Sequence, residues 1–373
     1  MAGLIERETI DEIIEKADIL SVVSSYVRLK KAGANYKGCC PFHQEADPSF
    51  TVSPEKGIFH CFGCGEGGDV IRFISLSENL SFADAVHFLA ERYSVEVKQS
   101  GRSLNRAQAD EKKRLQMLNK DAANWFYQQM KNSTQAKEYI EKRGLTFETA
   151  KAFGIGYAPP GWRNLLSAMR AKGYSEAELE KVGLVSKKDS SVYDKFRNRL
   201  MFPIQDVSGR VIAFGGRALS EEDNPKYLNS PETPVYIKGR HIYNLNRAKF
   251  NCKESIVLVE GYMDAVSLVS AGIDNAVASL GTALTEVQAQ LLGRYSARVY
   301  LAYDSDRAGR AAAVKNALLL DRMGIEAYII ALPSEKDPDD YVRKYGKEAF
   351  LTLFETAKDA YIYQFDVLKE EYG

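Results

Sequence analysis

Three short apolar runs in the second half of the 373-residue chain each end in carboxylates. Residues 256–259 lead into Glu260, residues 299–303 into Asp304 and Asp306, and residues 325–332 towards Asp337, Asp339 and Asp340. Carboxylates gathered at one place repel each other unless a cation lies between them. Mg²⁺ suits such a place, because it takes carboxylate oxygens and keeps waters that phosphate groups displace. An acid in a single turn is commonplace. Acids at three separate strand ends point instead to a common site.

A second constellation lies nearer the N-terminus. Cys40 and His43 are separated by two residues, and Cys61 and Cys64 repeat that spacing. Each pair closes a tight knuckle, with Gly63 and Gly65 permitting close turns. Thiolate and imidazole donors at this spacing point to tetrahedral Zn²⁺. Four protein ligands leave no open position, so one zinc ion here is structural. Its binding, on the order of 10 kcal/mol in small zinc modules, would hold a subdomain with little core of its own. Cys39 competes with Cys40 for the first position; Cys40 is preferred because C-x2-H then mirrors C-x2-C. Strand alternation aims His60 away from the metal.

The elements that must position the acids follow from the same pattern. The runs at 256–259 and 299–303 are β-branched or aromatic and bounded by glycine or charge, so they read as buried strands. Helix-like segments occupy 265–271, 285–295 and 308–323, with a short strand at 276–280. Alternating strands and helices imply a parallel sheet, and ligands bind beyond the carboxyl ends of its strands. Gly261 permits a tight turn after the first strand. Asp264 opens the next helix, where an acid suits the dipole, a structural role.

Charge is unevenly spread. Residues 195–250 carry ten Lys/Arg against five Asp/Glu, and residues 255–340 carry seven against twelve. A basic region beside an acidic one suits a polyanion held next to metal ions. Residues 200–204 and 211–215 read as a hairpin around Ser208 and Gly209. Arg197 and Arg199 are two apart with Lys195 in register, which predicts one strand face of cations tracking a phosphate backbone. Arg217, Lys226, Lys238 and Arg240 follow, with Gly215, Gly216 and Gly239 letting backbone approach closely. Tyr227, Tyr236 and Tyr243 lie among them as platforms for base stacking.

The whole chain balances 50 Lys/Arg against 50 Asp/Glu and is 45% hydrophobic, a soluble globular composition long enough for two or three domains. No run approaches the ~18 apolar residues of a membrane helix. The N-terminus lacks a basic-then-apolar signal, and five cysteines do not make a disulfide scaffold, so the expected location is the cytoplasm. Residues 98–109 are polar and read as a flexible linker, followed by a helix over 108–130.

VEGYMD (259–264), YDSDRAGRAA (303–312) and KDPDDYV (336–342) resemble the toprim domain shared by topoisomerases and primases. The matching positions are Glu260, Asp304, Asp306, Asp337 and Asp339. VEGYMD with DPDD is similar to the bacterial replicative primases. CPFH, CFGCGEGGD, FRNRLMFPI, FGGRAL and PKYLNSPETPVYIKGR look like motifs of the same family, in collinear order over essentially the whole chain.

That resemblance implies an α/β multidomain protein. A zinc ribbon, a small β-sheet with helices, would occupy 1–98 and a linker 99–112. A basic, mixed α+β N-terminal subdomain of an RNA polymerase core would occupy 113–250. A parallel α/β toprim domain would span 251–340 and C-terminal helices 341–373. The implied activity is de novo synthesis of short RNA primers on single-stranded DNA with two Mg²⁺ or Mn²⁺ ions. Asp304, Asp306 and Asp337 would be the main ligands, Asp339 supporting, and Glu260 a ligand or proton acceptor. Arg143, Lys195, Arg197, Asn198, Arg199 and Arg217 would meet DNA, with Lys226 and Lys238 nearer the incoming nucleotide. Expected partners are the template, ribonucleoside triphosphates, the RNA primer and a replicative helicase, the last through a C-terminal domain beyond this chain. The implied setting is a monomer at the bacterial replication fork, with no membrane. A toprim topoisomerase or nuclease is the competing enzyme, but no motif marks any of the 21 tyrosines as a nucleophile. A non-enzymatic zinc-ribbon module that binds single-stranded DNA would not need three acid-tipped strands.

Overall fold

The computed structural model describes every residue except 1–3, 44, 46, 79, 98, 101–102, 190, 221–222, 282, 334–336 and 373, and describes the backbone alone at 4, 99–100, 103–107 and 370–372. Lys336 and part of the expected linker lie outside the described residues. The chain divides into two compact units, residues 1–107 and 108–373.

In the first unit five strands form an antiparallel meander. Lys30–Ala32, Asn35–Gly38, Phe50–Ser53, Ile58–Cys61 and Gly67–Gly68 pair in sequence order. Side chains alternate, so Phe50, Val52, Phe59 and Cys61 are buried while Ile58 and His60 face solvent. Helices Arg7–Lys16, Ile19–Ser24, Val70–Ser77 and Phe82–Arg92 share the core on the buried face. Phe42, Phe50, Phe59 and Phe73 meet there edge-on, tilted or stacked, with centroids 5.3–6.1 Å apart. Asp18, Asp69 and Ser81 each start a helix by accepting the N–H three residues on.

Ser103–Asn132 is one helix. Most of the stretch expected to be a linker over 99–112 is therefore helical, and Gln99–Ser100 is a strand paired with Leu4–Ile5. The physical reason is that 103–112 contains neither glycine nor proline and is rich in good helix formers. It looked like a linker because it has no apolar face; residues 108–114 are exposed all round.

The second unit is built on two sheets. Gly156–Ala158, Arg199–Gln205, Val211–Ala218 and Tyr227–Asn229 form an antiparallel sheet in that spatial order. The parallel sheet has the order Ala276–Ala278, Ile256–Val259, Arg298–Leu301, Glu326–Ile329. Ile256–Val259 is buried at every position, which is why its sequence is continuously apolar. Full burial of each such side chain contributes about 1.5–3 kcal/mol. Helices Tyr262–Ser270, Glu286–Gly293 and Arg307–Arg322 connect the strands.

One core joins Leu200, Phe202 and Ile204 of the antiparallel sheet to Val257 and Val259 of the parallel sheet and to Tyr341, Val342 and Phe350 of helix Pro338–Thr352. The segments over 113–250, 251–340 and 341–373, expected as a basic subdomain, a toprim domain and a helical subdomain, share an interior. This fixes the two sheets against each other. No helix among the described residues is long and apolar enough to cross a membrane.

The expected strand face of Lys195, Arg197 and Arg199 does not form. The strand begins only at Arg199, and Asn198 before it has a positive φ of 50°. That turn breaks the two-residue alternation on which the expectation rested.

Candidate active site and metal centre

A cavity of about 570 Å³ opens in the second unit. Its lining includes Glu260, Asp264, Asp304, Asp337, Asp339 and Asp340 together with Arg143, Arg217 and Lys226. The acids come from the parallel half: Glu260 and Asp304 follow its strands, and Asp337 caps helix Pro338–Thr352. Arg217 lies on the antiparallel sheet, Lys226 beside it, and Arg143 at the end of helix Thr134–Lys142. Two oppositely charged halves of one unit therefore meet in one cavity.

The acids are crowded. Glu260 Oε1 accepts the Asp304 N–H at 3.2 Å. Burial, then the charges of Glu260, Asp337 and Asp306, push the Asp304 carboxyl up to about 7. Burial also raises Glu260, with Asp306 adding to it, and raises Asp337, with Asp340 and Asp339 adding. Asp264 is buried, accepts the Gly261 N–H at 3.1 Å, and is raised well above the usual carboxylate range by burial and then by Asp337 and Asp304. Asp337, Asp339 and Asp340 can each place an oxygen within 4.8 Å of the others. Hard oxygen donors held close at this electrostatic cost fit a divalent cation.

The expected ligands differ in their surroundings. Asp306 is exposed, lies outside the lining, and caps helix Arg307–Arg322 by accepting the Gly309 N–H at 2.7 Å. Asp337 caps its helix similarly through Asp340 N–H at 2.7 Å but faces the cavity. Asp339 is buried and already accepts Ser267 Oγ at 2.7 Å, Arg343 Nε at 2.9 Å and Arg143 Nη1 at 3.2 Å. Gly309 is a site residue that sequence reasoning missed. A Cβ there would lie 2.3 Å from the Asp304 carbonyl oxygen and 2.9 Å from Glu260 Oε1. A glycine in the first turn of a helix, where it is unfavourable, was the available signal.

The basic residues also divide. Lys226 is exposed and in the lining. Arg217 is only 5% exposed and donates to the hydroxyls of Tyr139 and Tyr227. Arg199 is equally buried and donates to the carbonyls of Pro225 at 2.7 Å and Gly216 at 3.3 Å, a structural set of partners. Arg197 lies 4.3 Å over exposed Trp162. Asn198 donates to Asp223 at 2.7 Å. Lys195 and Lys238 are half-buried, and burial lowers both ammonium groups. Neither lines the cavity.

Two sequence expectations need correction. Tyr236 and Tyr243 are 1% and 2% exposed and pack in the core, so they present no face to a base. Gly215, Gly216 and Gly239 make room for side chains of this unit: their Cβ positions would meet Tyr262, Phe196 and Thr285 at 2.5, 2.9 and 3.0 Å.

In the first unit Cys40, His43, Cys61 and Cys64 each offer a ligand atom, all within 4.8 Å of one another. Cys40 Sγ is 3.9 Å from Cys64 Sγ, and Cys61 Sγ is 3.8 Å from His43 Nδ1. The N–H groups of Phe42 and Cys64 donate to the sulfurs of Cys40 and Cys61. Three thiols and an imidazole converging so closely fit tetrahedral zinc. Cys39 is exposed and outside the cluster. Glu45 was not anticipated. It lies 3.2 Å from His43 Nε2 and accepts the Cys40 and Ser49 N–H groups at 2.6 and 3.1 Å, fixing the imidazole with Nδ1 inward. At Gly63 a Cβ would strike His43 Nε2 at 2.6 Å.

Comparisons with known proteins agree with this geometry. The CHC2 zinc finger family matches residues 5–105, the DNA primase catalytic core N-terminal domain residues 125–249, and the Toprim-like family residues 257–342. DNA primase of Clostridium acetobutylicum is 46% identical over 355 residues, covering 95% of this chain and 59% of that protein. DNA primase of Escherichia coli K12 is 43% identical over 378 residues, covering 99% and 65%. The chain thus spans about three fifths of the length of these curated relatives. The crystal structure of the Aquifex aeolicus primase zinc binding and RNA polymerase domains is 40% identical, covers 94% of this chain and 85% of that chain, and superposes with a TM-score of 0.63. A DnaG primase catalytic domain bound to single-stranded DNA is 42% identical, covers 70% and 87%, and gives 0.64.

Proposed function

Because this chain belongs to the DnaG-type family of bacterial DNA primases, we propose that it synthesises short RNA primers de novo on single-stranded DNA. The reaction is attack of a ribose 3′-hydroxyl on the α-phosphate of a ribonucleoside triphosphate, with release of pyrophosphate. The observation that carries this reading is the shared cavity, where clustered carboxylates face arginine and lysine.

Glu260, Asp304 and Asp337 would hold two divalent cations, Mg²⁺ or Mn²⁺, with Asp306 and Asp340 close by. Such ions, when bound, activate the attacking hydroxyl and stabilise the leaving oxygens. Arg217 and Lys226 bind the triphosphate from the opposite half of the unit, which orients the α-phosphate towards the acids. Asp264 keeps the turn after Glu260 closed through Gly261. Half-buried Arg197 over exposed Trp162 forms a cation and ring pair suited to a single-stranded template. Binding of single-stranded DNA by a related catalytic domain supports that substrate. The zinc module holds its own fold and would meet the template. The working location on this reading is the cytoplasm.

The test is primer synthesis on single-stranded templates of varied sequence with labelled ribonucleotides. Template-dependent short RNA made only with Mg²⁺ or Mn²⁺ is expected. Relaxation of supercoiled DNA without incorporation would overturn the reading in favour of a topoisomerase.

A further inference from the structure

Arg217 is a buried cation without a carboxylate. Its side chain lines the cavity, yet the residue is only 5% exposed. Among the described residues no Asp or Glu lies within salt-bridge distance of it; its partners are two phenols. Nε donates to Tyr139 Oη at 2.5 Å, and Nη1 donates to Tyr227 Oη. The guanidinium carbon also lies 5.1 Å from the Tyr227 ring centroid and 5.9 Å from that of Tyr139. Arg217 and Tyr227 are paired across adjacent strands, so Tyr227 is placed by sheet register.

The choice of acceptor matters. A buried arginine is ordinarily paired with a carboxylate, which cancels its charge. A phenol oxygen satisfies an N–H and holds the plane of the group but leaves the positive charge intact. The uncommitted N–H groups of the fork can then receive a phosphate in two-point fashion. Tyr139 has a second cationic neighbour: the Arg143 guanidinium lies 5.8 Å over the same ring. Arg143 is itself held by Asp339 at 3.2 Å. One tyrosine, on helix Thr134–Lys142, thus spaces two arginines that both line the cavity.

We infer that Tyr139 is a positioning residue for the polyphosphate of the incoming nucleotide, acting through Arg217 and Arg143; this rests on the polymerase reading above. It does not touch the reacting atoms. Its hydroxyl sets the plane of Arg217, and its ring sets the spacing between the two guanidinium groups.

The experiment compares the full chain with Tyr139→Phe, which keeps the ring and loses the hydroxyl. The KM for ribonucleoside triphosphate should rise about fivefold to tenfold, with kcat within about twofold and half-saturating template unchanged. Calorimetric binding of magnesium pyrophosphate, which needs no turnover, should weaken by a similar factor. Tyr139→Phe added to Arg217→Lys should raise KM little beyond Arg217→Lys alone. An unchanged KM and pyrophosphate affinity would overturn the inference, as would effects of the two substitutions that multiply. A fall in kcat and template affinity at constant KM would also overturn it. Should the unaltered protein incorporate no nucleotide, the polymerase reading falls, and pyrophosphate binding still decides the role of Tyr139.

Discussion

Glu260 and Asp304 touch across two neighbouring parallel strands, the Glu260 carboxylate accepting the Asp304 N–H at 3.2 Å. The pairing of Ile256 with Val299 and of Leu258 with Leu301 sets this contact, because it ends both strands at the same level. The two acids therefore meet whatever their mutual repulsion. The packed sheet imposes the cost, and the site keeps a concentrated negative charge ready for cations.

Asp304→Asn should separate stability from function. Removing one charge relieves the repulsion from Glu260, Asp337 and Asp306. The metal-free protein should melt higher, by about 2–4 °C for a gain near 1 kcal/mol in a unit of this size. Primer synthesis should be abolished while affinity for single-stranded DNA is largely kept. Calorimetry, a synthesis assay and a filter-binding titration check the three parts. Loss of DNA binding in a folded variant would argue against a role confined to metal.

The same crowding predicts a pH dependence. Asp304 titrates near 7 in the folded protein, whereas an unfolded aspartate titrates near ~4. Between those values the unfolded chain has lost its proton and the folded one has not. Stability without divalent cation should therefore fall as pH rises from about 4 to about 7 and stay low above it. Glu260 and Asp337 are shifted in the same direction and add to the fall. A cation binds the ionised form, so MgCl₂ should raise the melting temperature more at pH 8 than at pH 5. Equal stabilisation at both pH values would place the cation elsewhere.

The acids and the zinc ligands were legible because their signals are local. Ile256–Val259 announces a buried strand by composition, and Glu260 follows it directly; Cys40, His43, Cys61 and Cys64 announce themselves by spacing. What escaped is non-local. Arg143 and Asp339 pair across 196 residues of sequence, and nothing near either foretells it. Arg199 and Arg217 look like surface cations in a basic stretch, yet the strands Arg199–Gln205 and Val211–Ala218 turn both their faces inward, and only the sheet's place between two layers decides that. Tyr236 and Tyr243 failed as stacking platforms for the same reason. The helix Ser103–Asn132 was missed at its start because an exposed helix turn and a polar linker share a composition.

Zinc removal should melt one unit and spare the other. Cys40 and Cys61 belong to the first unit's core as well as to the ligand cluster, so loss of the metal reaches into the packing of Phe50 and Phe59. Zinc modules draw on the order of 10 kcal/mol from the metal, as much as the whole net stability of a typical domain. Chelation or Cys61→Ser should abolish the thermal transition of residues 1–107 while that of residues 108–373 shifts by less than about 2 °C. Differential scanning calorimetry with circular dichroism resolves this. Cys39→Ser should leave both transitions in place, since Cys39 lies outside the cluster.

Asp337 and Asp339, two residues apart, should separate as ligand and anchor. Asp337 commits one carboxylate oxygen to its helix cap and lies in the cavity with a raised pKa, the state that a cation relieves. Asp339 is 2% exposed and holds Ser267, Arg343 and Arg143 from three segments of the unit. Its charge is already compensated, so a cation gains less from it. Asp339→Ala would leave partly buried Arg143 without its acid and Arg343 with Asp340 alone, destabilising the unit by roughly 1–2 kcal/mol after allowance for the exposure of both arginines. Asp337→Ala should instead lower Mn²⁺ affinity more than about tenfold, while loss of the helix cap, about 1 kcal/mol, and relief of the acid repulsion largely offset each other in the metal-free melting temperature. Mn²⁺ binding followed by electron paramagnetic resonance, alongside calorimetry, distinguishes the two. A larger loss of Mn²⁺ affinity in Asp339→Ala than in Asp337→Ala would show that Asp339 gives up its arginines to the metal.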